Sequence, residues 1–233
     1  MNMTEWRTRL LLPAALIFAL WWVPSLVPTY YTDLSIEIII LSLYAISLNL
    51  ILGYGGMLSL GHAAFFGVGS YAVALLVKKA GFVSFFGTIV AAMAAAALLA
   101  LVIGFFSVRL SQTYLTMLTL AFAQMVHALA SRWYSLTNGD TGITGLPRVI
   151  IGGLDFTAPE DFYRLSLLVA GAAIWLIWRV VESPFGLALR SVRDNPKRAA
   201  FLGLSVNRHL LAAFVIAGAF AGLAGGLFAW YQH

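Results

Sequence analysis

Apolar residues gather into seven stretches, each close to the length that crosses a bilayer: Leu10–Val27, Leu34–Leu52, Ala63–Val77, Phe82–Phe106, Tyr114–Ala130, Leu165–Val181 and Leu210–Tyr231. A helix needs about 20 mostly apolar residues to span the hydrocarbon core. The pattern therefore predicts an all-α, polytopic transmembrane helical bundle with about seven spans. The third stretch is short. It emerges from Ser47–Tyr71, SLNLILGYGGMLSLGHAAFFGVGSY, which six glycines interrupt: Gly53, Gly55, Gly56, Gly61, Gly67 and Gly69. Lipid cannot satisfy broken backbone, so such a segment must face protein or a water-filled cavity. Broken helices of this kind often border a transport pathway.

Composition supports the membrane reading. Of 233 residues, 61% are hydrophobic and 10% charged, against about 25% charged in a soluble domain. Mean hydropathy is +0.91. Cysteine is absent, so no disulfide framework or thiol nucleophile exists. The basic balance, with a pI near 9.7, is explained by cytoplasmic loops under the positive-inside rule rather than by nucleic acid.

Charge sets the orientation. With the N-terminus inside, nine basic residues fall inside: Arg7, Arg9, Arg109, Arg179, Arg190, Arg193, Lys197, Arg198 and Arg208. Five fall outside: Lys78, Lys79, Arg132, Arg148 and Arg164. This bias holds only if the short third span crosses fully; a re-entrant segment would invert it. The first stretch follows Arg7 and Arg9 and lacks a small-residue cleavage site, so it reads as a retained signal-anchor.

Two long loops remain. The outer one, Arg132–Arg164, is rich in turn formers such as Asn138-Gly139-Asp140 and Gly152-Gly153, and its length suits a partner contact. In the inner one, Ser183–His209, Ser183-Pro184 and Asn195-Pro196 each pair a capping residue with proline at the first helical position. They predict helices over Phe185–Arg193 and up to Leu202, the second ended by Gly203. A basic loop can simply meet lipid headgroups, but two capped helices suit a preformed protein contact.

Three blocks of the sequence, Ser47–Leu76, Tyr114–Arg148 and Ser183–Ala229, resemble a permease of the LivM type, the membrane subunit of ATP-binding cassette (ABC) importers for branched-chain amino acids. The resemblance implies that residues 1–233 form a single importer transmembrane domain. That domain is expected to be incomplete, since family members continue through further helices. It also implies that residues 183–209 are the coupling loop, with Ser183, Pro184, Arg190, Arg193, Asn195, Pro196, Ala199, Ala200 and Gly203 as its docking residues. The match to the general docking motif is loose, with Arg198-Ala199-Ala200 in place of its start. Implied partners are a homologous second permease, two cytoplasmic ATPase subunits, an extracytoplasmic substrate-binding protein and membrane lipid, in a bacterial cytoplasmic (inner) membrane. ATP and Mg would be bound on the partner ATPase. In agreement, none of the three lysines follows a glycine, so the chain holds no P-loop Gly-Lys-Ser/Thr.

Within Tyr114–Ala130, at about 100° per residue, Gln112, Thr113, Thr116, Thr119, Gln124, His127 and Ser131 fall within an arc of roughly 140°. Such a stripe faces either a pathway or hydrogen-bonded neighbours. His62, at the heart of the broken segment, is either a polar group near the substrate or gate, or a donor to a freed carbonyl of the glycine-rich stretch. Asn49 and Tyr54 are further candidates for the pathway. Four histidines without matching carboxylates make a metal site unexpected. Gly218, Gly222 and Gly226, with Gly225 on the same face, allow close helix packing, and the alanines Ala91, Ala92 and Ala94–Ala97 suggest the same. Glu37 is the one acid inside a predicted span and reads as interfacial.

Other classes compete. A secondary transporter would need buried ion-coupling charges, which are scarce. An intramembrane enzyme would need a paired nucleophile and base, which is missing. A same-fold permease for urea or short amides is the nearest rival.

Overall fold

The computed structural model describes residues 20–110, 112–147, 150–151, 154–156 and 158–232. Most of the expected first span, Leu10–Val27, lies outside the described residues; its end forms a helical turn, Val23–Leu26. That turn packs on α5 (Pro159–Val181), where the Tyr163 hydroxyl donates to the Leu20 carbonyl at 3.0 Å.

Among the described residues, five helices are long and apolar enough to cross a membrane. They are α1 (Thr29–Asn49, continued by a wider π-turn, Leu50–Tyr54), α3 (Phe85–Ser107), α4 (Gln112–Arg132), α5 and α8 (Val206–Tyr231). The sixth apolar helix, α2 (His62–Lys78), is shorter. A count of seven is thus not reached within the described residues. The inner loop forms α6 (Pro184–Asp194) and α7 (Pro196–Phe201).

Helix ends follow local chemistry. α5 begins with Pro159, Glu160 and Asp161 and ends near Arg179, each sign of charge at the dipole end that favours it. Asn195 caps α7 by accepting from the Arg198 N–H at 2.9 Å. Ser183 departs from expectation. Its hydroxyl donates back to the Val180 carbonyl at 2.6 Å and makes no capping bond to α6. Hydroxyls at helix ends compete for carbonyls as readily as for N–H groups, and Pro184 has already removed one donor that a cap would serve.

Contacts between the helix ends define the path of the chain. At one end of the bundle, Tyr231 donates to the Asp33 carbonyl at 3.4 Å and stacks on Phe162, and Lys79 donates to the Ser135 carbonyl. At the other end, Arg193 bonds Gly53 and Gln112 bonds Gly56. Residues 55–78 leave this second end and arrive, through α2, at the first. The glycine-broken segment therefore passes through the bundle, irregular at first and helical after Gly61, instead of turning back.

The core is centred on α8, enclosed by α2 and α3. Ala92, Ala96 and Ala100 of α3 present a four-residue ladder of fully buried methyls. Gly218 abuts Ala100, Gly222 abuts Ala96, and Gly226 abuts Ala92. On another side, a Cβ at Gly225 would overlap the Phe66 carbonyl of α2, and one at Gly69 would overlap Gly222. Such close backbone approach substitutes for the hydrophobic drive that lipid does not provide. Of the expected alanine run, Ala92 and Ala96 take this face, whereas Ala94 is exposed. The outer loop carries a turn at Tyr134–Thr137, a 3₁₀ turn at Gly139–Thr141 and a two-residue hairpin pairing Ile150–Ile151 with Leu154–Asp155.

Candidate functional site

The broken segment is built from its glycines outward. The π-turn places the Asn49 side-chain oxygen where a Cβ on Gly53 would sit, and Gly56 adopts φ +67°, a left-handed conformation open to glycine. From Met57 to Ser59 the backbone has no regular secondary structure, and it turns at Leu60 and Gly61 into α2. Its freed groups find partners of three kinds. The Met57 N–H donates to the Ile51 carbonyl at 3.0 Å. Gln112 Nε2 donates to the Gly56 carbonyl at 3.1 Å. The Thr116 hydroxyl lies 3.0 Å from the Leu58 carbonyl and 2.9 Å from that of Gln112, sharing one proton between them.

The polar stripe of α4 is thereby divided. Its first half, Gln112 to Thr119, serves the broken backbone. Thr119 is buried, with its hydroxyl donating to the Thr116 carbonyl at 3.0 Å and its backbone against Gly61. Its second half, Gln124 and His127, lines a cavity of about 590 Å³ between α2 and α4. Apolar atoms of Leu60, Ala63, Gly67 and Leu120 make up much of the wall, with Tyr71 and Trp133 toward the outer loop. A second cavity, about 310 Å³, shares Gly67 and Tyr71 with the first and reaches Ile143, Leu146 and Gln232. The sequence marked Gly67 as one of the glycines interrupting the segment, not as cavity lining, and Tyr71 was not singled out; in the structure Gly67 lies inside regular α2.

His62 is 1% exposed. Its Nε2 lies 2.9 Å from the Ser47 hydroxyl, which itself donates to the Tyr44 carbonyl at 2.6 Å. Ser47 has one proton and spends it on Tyr44, so Nε2–H of His62 is the donor. The partner is therefore the Ser47 hydroxyl of α1, where one of the two expectations had a freed carbonyl of the glycine-rich stretch, and it pins the start of α2 to α1. Tyr44 and Phe65 flank the ring, with centroids 5.3 and 5.5 Å away. Neither cavity is lined by His62. Asn49 is exposed and Tyr54 half-buried beside the π-turn, also away from both cavities. Glu37 is half-buried within α1. Among the described residues no group of three His, Asp or Glu could hold a metal ion.

The inner helices lie across the opposite mouth of the broken segment. Leu189 and Val192 of α6 are buried, and a Cβ at Gly186 would overlap the Val181 carbonyl. Arg193 is exposed but reaches the broken segment: Nη1 donates to the Gly53 carbonyl at 2.6 Å, while Nε and Nη2 donate to Asp194 Oδ1 at 3.0 and 2.9 Å. Arg190 reaches the Val181 carbonyl at 3.5 Å. Ala199 is buried, whereas Pro184, Asn195, Pro196, Ala200 and Gly203 are exposed. Phe201 and Leu202 project at 92% and 76% exposure.

A bundle of helices long and apolar enough to cross a membrane, with a broken segment beside a cavity, fits the class of a transport permease. The chain belongs to the branched-chain amino acid transport system permease component family, whose signature it matches over residues 30–233. It is 31% identical over 97% of its length to the high-affinity branched-chain amino acid transport system permease protein LivM of Escherichia coli, and 30% identical to LivM of Salmonella typhimurium. It spans 58% of the length of these relatives. It is also 34% identical over 89 residues to the guanosine ABC transporter permease protein NupQ of Bacillus subtilis, covering 38% of this chain and 27% of that one. By name, each of these relatives is a transport permease protein. No solved structure matches it.

Proposed function

We propose that the chain is a membrane-spanning permease subunit of an ATP-driven importer that moves branched-chain amino acids across the bacterial cytoplasmic membrane by alternating access. The observation that carries this reading is the family match over residues 30–233. It is supported by a helix pair, α6 and α7, seated where the broken span opens. The Arg193 end of the bundle is then cytoplasmic and the Lys79 end external, in keeping with the positive-inside bias. A homologous second permease completes the membrane pathway. Two ATPase subunits bind ATP and Mg and engage the α6–α7 surface, where Phe201 and Leu202 stand exposed. A binding protein delivers solute at the outer loops.

Co-purification from native membranes tests this. An ATPase and a second permease are expected to accompany the chain; a solitary protein with transport activity overturns the proposal. The nucleoside relatives support a second cargo. Uptake of labelled leucine against excess guanosine separates the two, since inhibition by guanosine but not by isoleucine would favour the nucleoside.

A further inference from the structure

We infer that Arg193 is a positioning residue that couples the inner helix pair to the broken span, with the Gly53 carbonyl as its receiving point. The inference rests on the permease reading above. Arginine at the end of an amphipathic surface helix ordinarily gives its head to solvent alone. Arg193 keeps 40% of its side chain exposed, yet its head also bonds distant backbone. Its guanidinium is fixed on one side by Asp194 and donates on the other to Gly53, 140 residues earlier in the chain. Its aliphatic stem covers Gly56, where an added Cβ would lie 2.6 Å from Arg193 Cγ.

Both contacts fall on backbone that is not locked by regular helix bonds. Gly53 lies in the π-turn and Gly56 in the left-handed region. Widened turns of this kind are frequent at functional sites. From there the linkage continues without a gap. The Gly56 carbonyl accepts from Gln112 and that of Leu58 from Thr116, and Gly61 packs closely against the Thr119 backbone. Leu60 then forms the near edge of the 590 Å³ cavity. A displacement of α6 has a charge-assisted grip on the broken segment, and the segment has polar grips on α4. In this arrangement the Arg193 guanidinium, although 40% of the side chain is exposed, is committed to Asp194 and Gly53, and it converts movement of α6 into movement of the cavity wall.

The test uses the complete importer in liposomes, with solute uptake and ATP hydrolysis measured together. Arg193→Ala is expected to retain its ATPase and continue hydrolysis, while solute moved per ATP falls about tenfold, the worth of one charge-assisted hydrogen bond. Arg193→Lys keeps the charge without the fork and is expected to recover part of the loss. Gly56→Ala, which disturbs the receiving side alone, is expected to uncouple similarly. The chain has no cysteine, so a Leu58→Cys reporter can be labelled cleanly. Its labelling is expected to change with nucleotide, and to stop changing when Arg193→Lys or Arg193→Ala is added. Unaltered uptake per ATP in both Arg193 variants overturns the inference. Loss of the ATPase from the Arg193→Ala complex overturns it too, since Arg193 would then be a docking residue. Failure of the unsubstituted complex to contain any ATPase is a separate result, and sinks the permease reading itself.

Discussion

Helices α8 and α4 both cross the bundle, yet the most apolar stretch of α8 is 67% buried and that of α4 only 11%. The contrast comes from how each is held. α8 carries glycine at three positions facing α3 and one facing α2, and neighbouring backbones close onto it. α4 is held by side-chain donors, Gln112 and Thr116, reaching carbonyls of the broken segment. Beyond Thr119 it stands off from α2 across a cavity. Close packing through missing side chains gives a rigid axis, because any added atom must displace backbone. Attachment through hydrogen bonds to irregular backbone leaves an element that can be shifted by exchanging partners. The bundle thus pairs a fixed helix with a movable one, and α2, between them, has one face of each kind.

The largest effect that distinguishes the two is expected at Gly225. An alanine methyl there would overlap the Phe66 carbonyl, a backbone atom that cannot rotate away. Gly225→Ala should cost about 1–3 kcal/mol, as overpacked cores do. It should appear as a lowered thermal midpoint of the detergent-solubilised protein. An unchanged midpoint would mean that α2 and α8 can separate freely, and the contrast between the axis and the movable helix would be lost.

A smaller effect is expected on the other side. Thr116→Val removes the donor shared by the Leu58 and Gln112 carbonyls without changing volume much. Loss of a hydrogen bond of this kind costs about 1 kcal/mol, and helix–helix polar contacts in membranes average about 0.6 kcal/mol. Stability should fall slightly. Labelling of a Leu58→Cys reporter should rise clearly, since the segment loses a tether but keeps its packing. If stability falls as far as in Gly225→Ala, α4 is part of the rigid core and the proposed division fails.

The two regions also differ in how far they could be read in the sequence. Spans announce themselves through uninterrupted apolar length, and the glycines of α8 through their four-residue spacing; both signals are local. The existence of the broken span was legible from its glycines for the same reason. Its partners were not. His62 bonds Ser47 and Arg193 bonds Gly53, pairs separated by 15 and 140 residues, and nothing in a helical period selects a partner across a break. Ser183 carried a sound capping signal that a nearer carbonyl won. The polar arc of α4 admitted packing and pathway alike. The structure sets the first half against the broken backbone, whose Gly56 and Leu58 carbonyls Gln112 and Thr116 meet, and the second half beside a cavity.

The smallest effect belongs to Gly67, on the open face of α2. No atom lies within 4 Å of the position a Cβ would take there, while two residues away Gly69 meets the Gly222 backbone. Gly67 sits inside a regular helix, where alanine is favoured over glycine by about 0.5–1 kcal/mol. Gly67→Ala should therefore leave the thermal midpoint equal or slightly higher, opposite in sign to Gly225→Ala. The methyl would enter the space where the 590 and 310 Å³ cavities meet. If that junction carries solute, uptake falls as the side chain grows from alanine to leucine even though the fold tightens, so activity and stability move in opposite directions. If uptake follows stability upward, the space beside Gly67 is merely unfilled, and the open face of α2 owes its glycine to something other than passage.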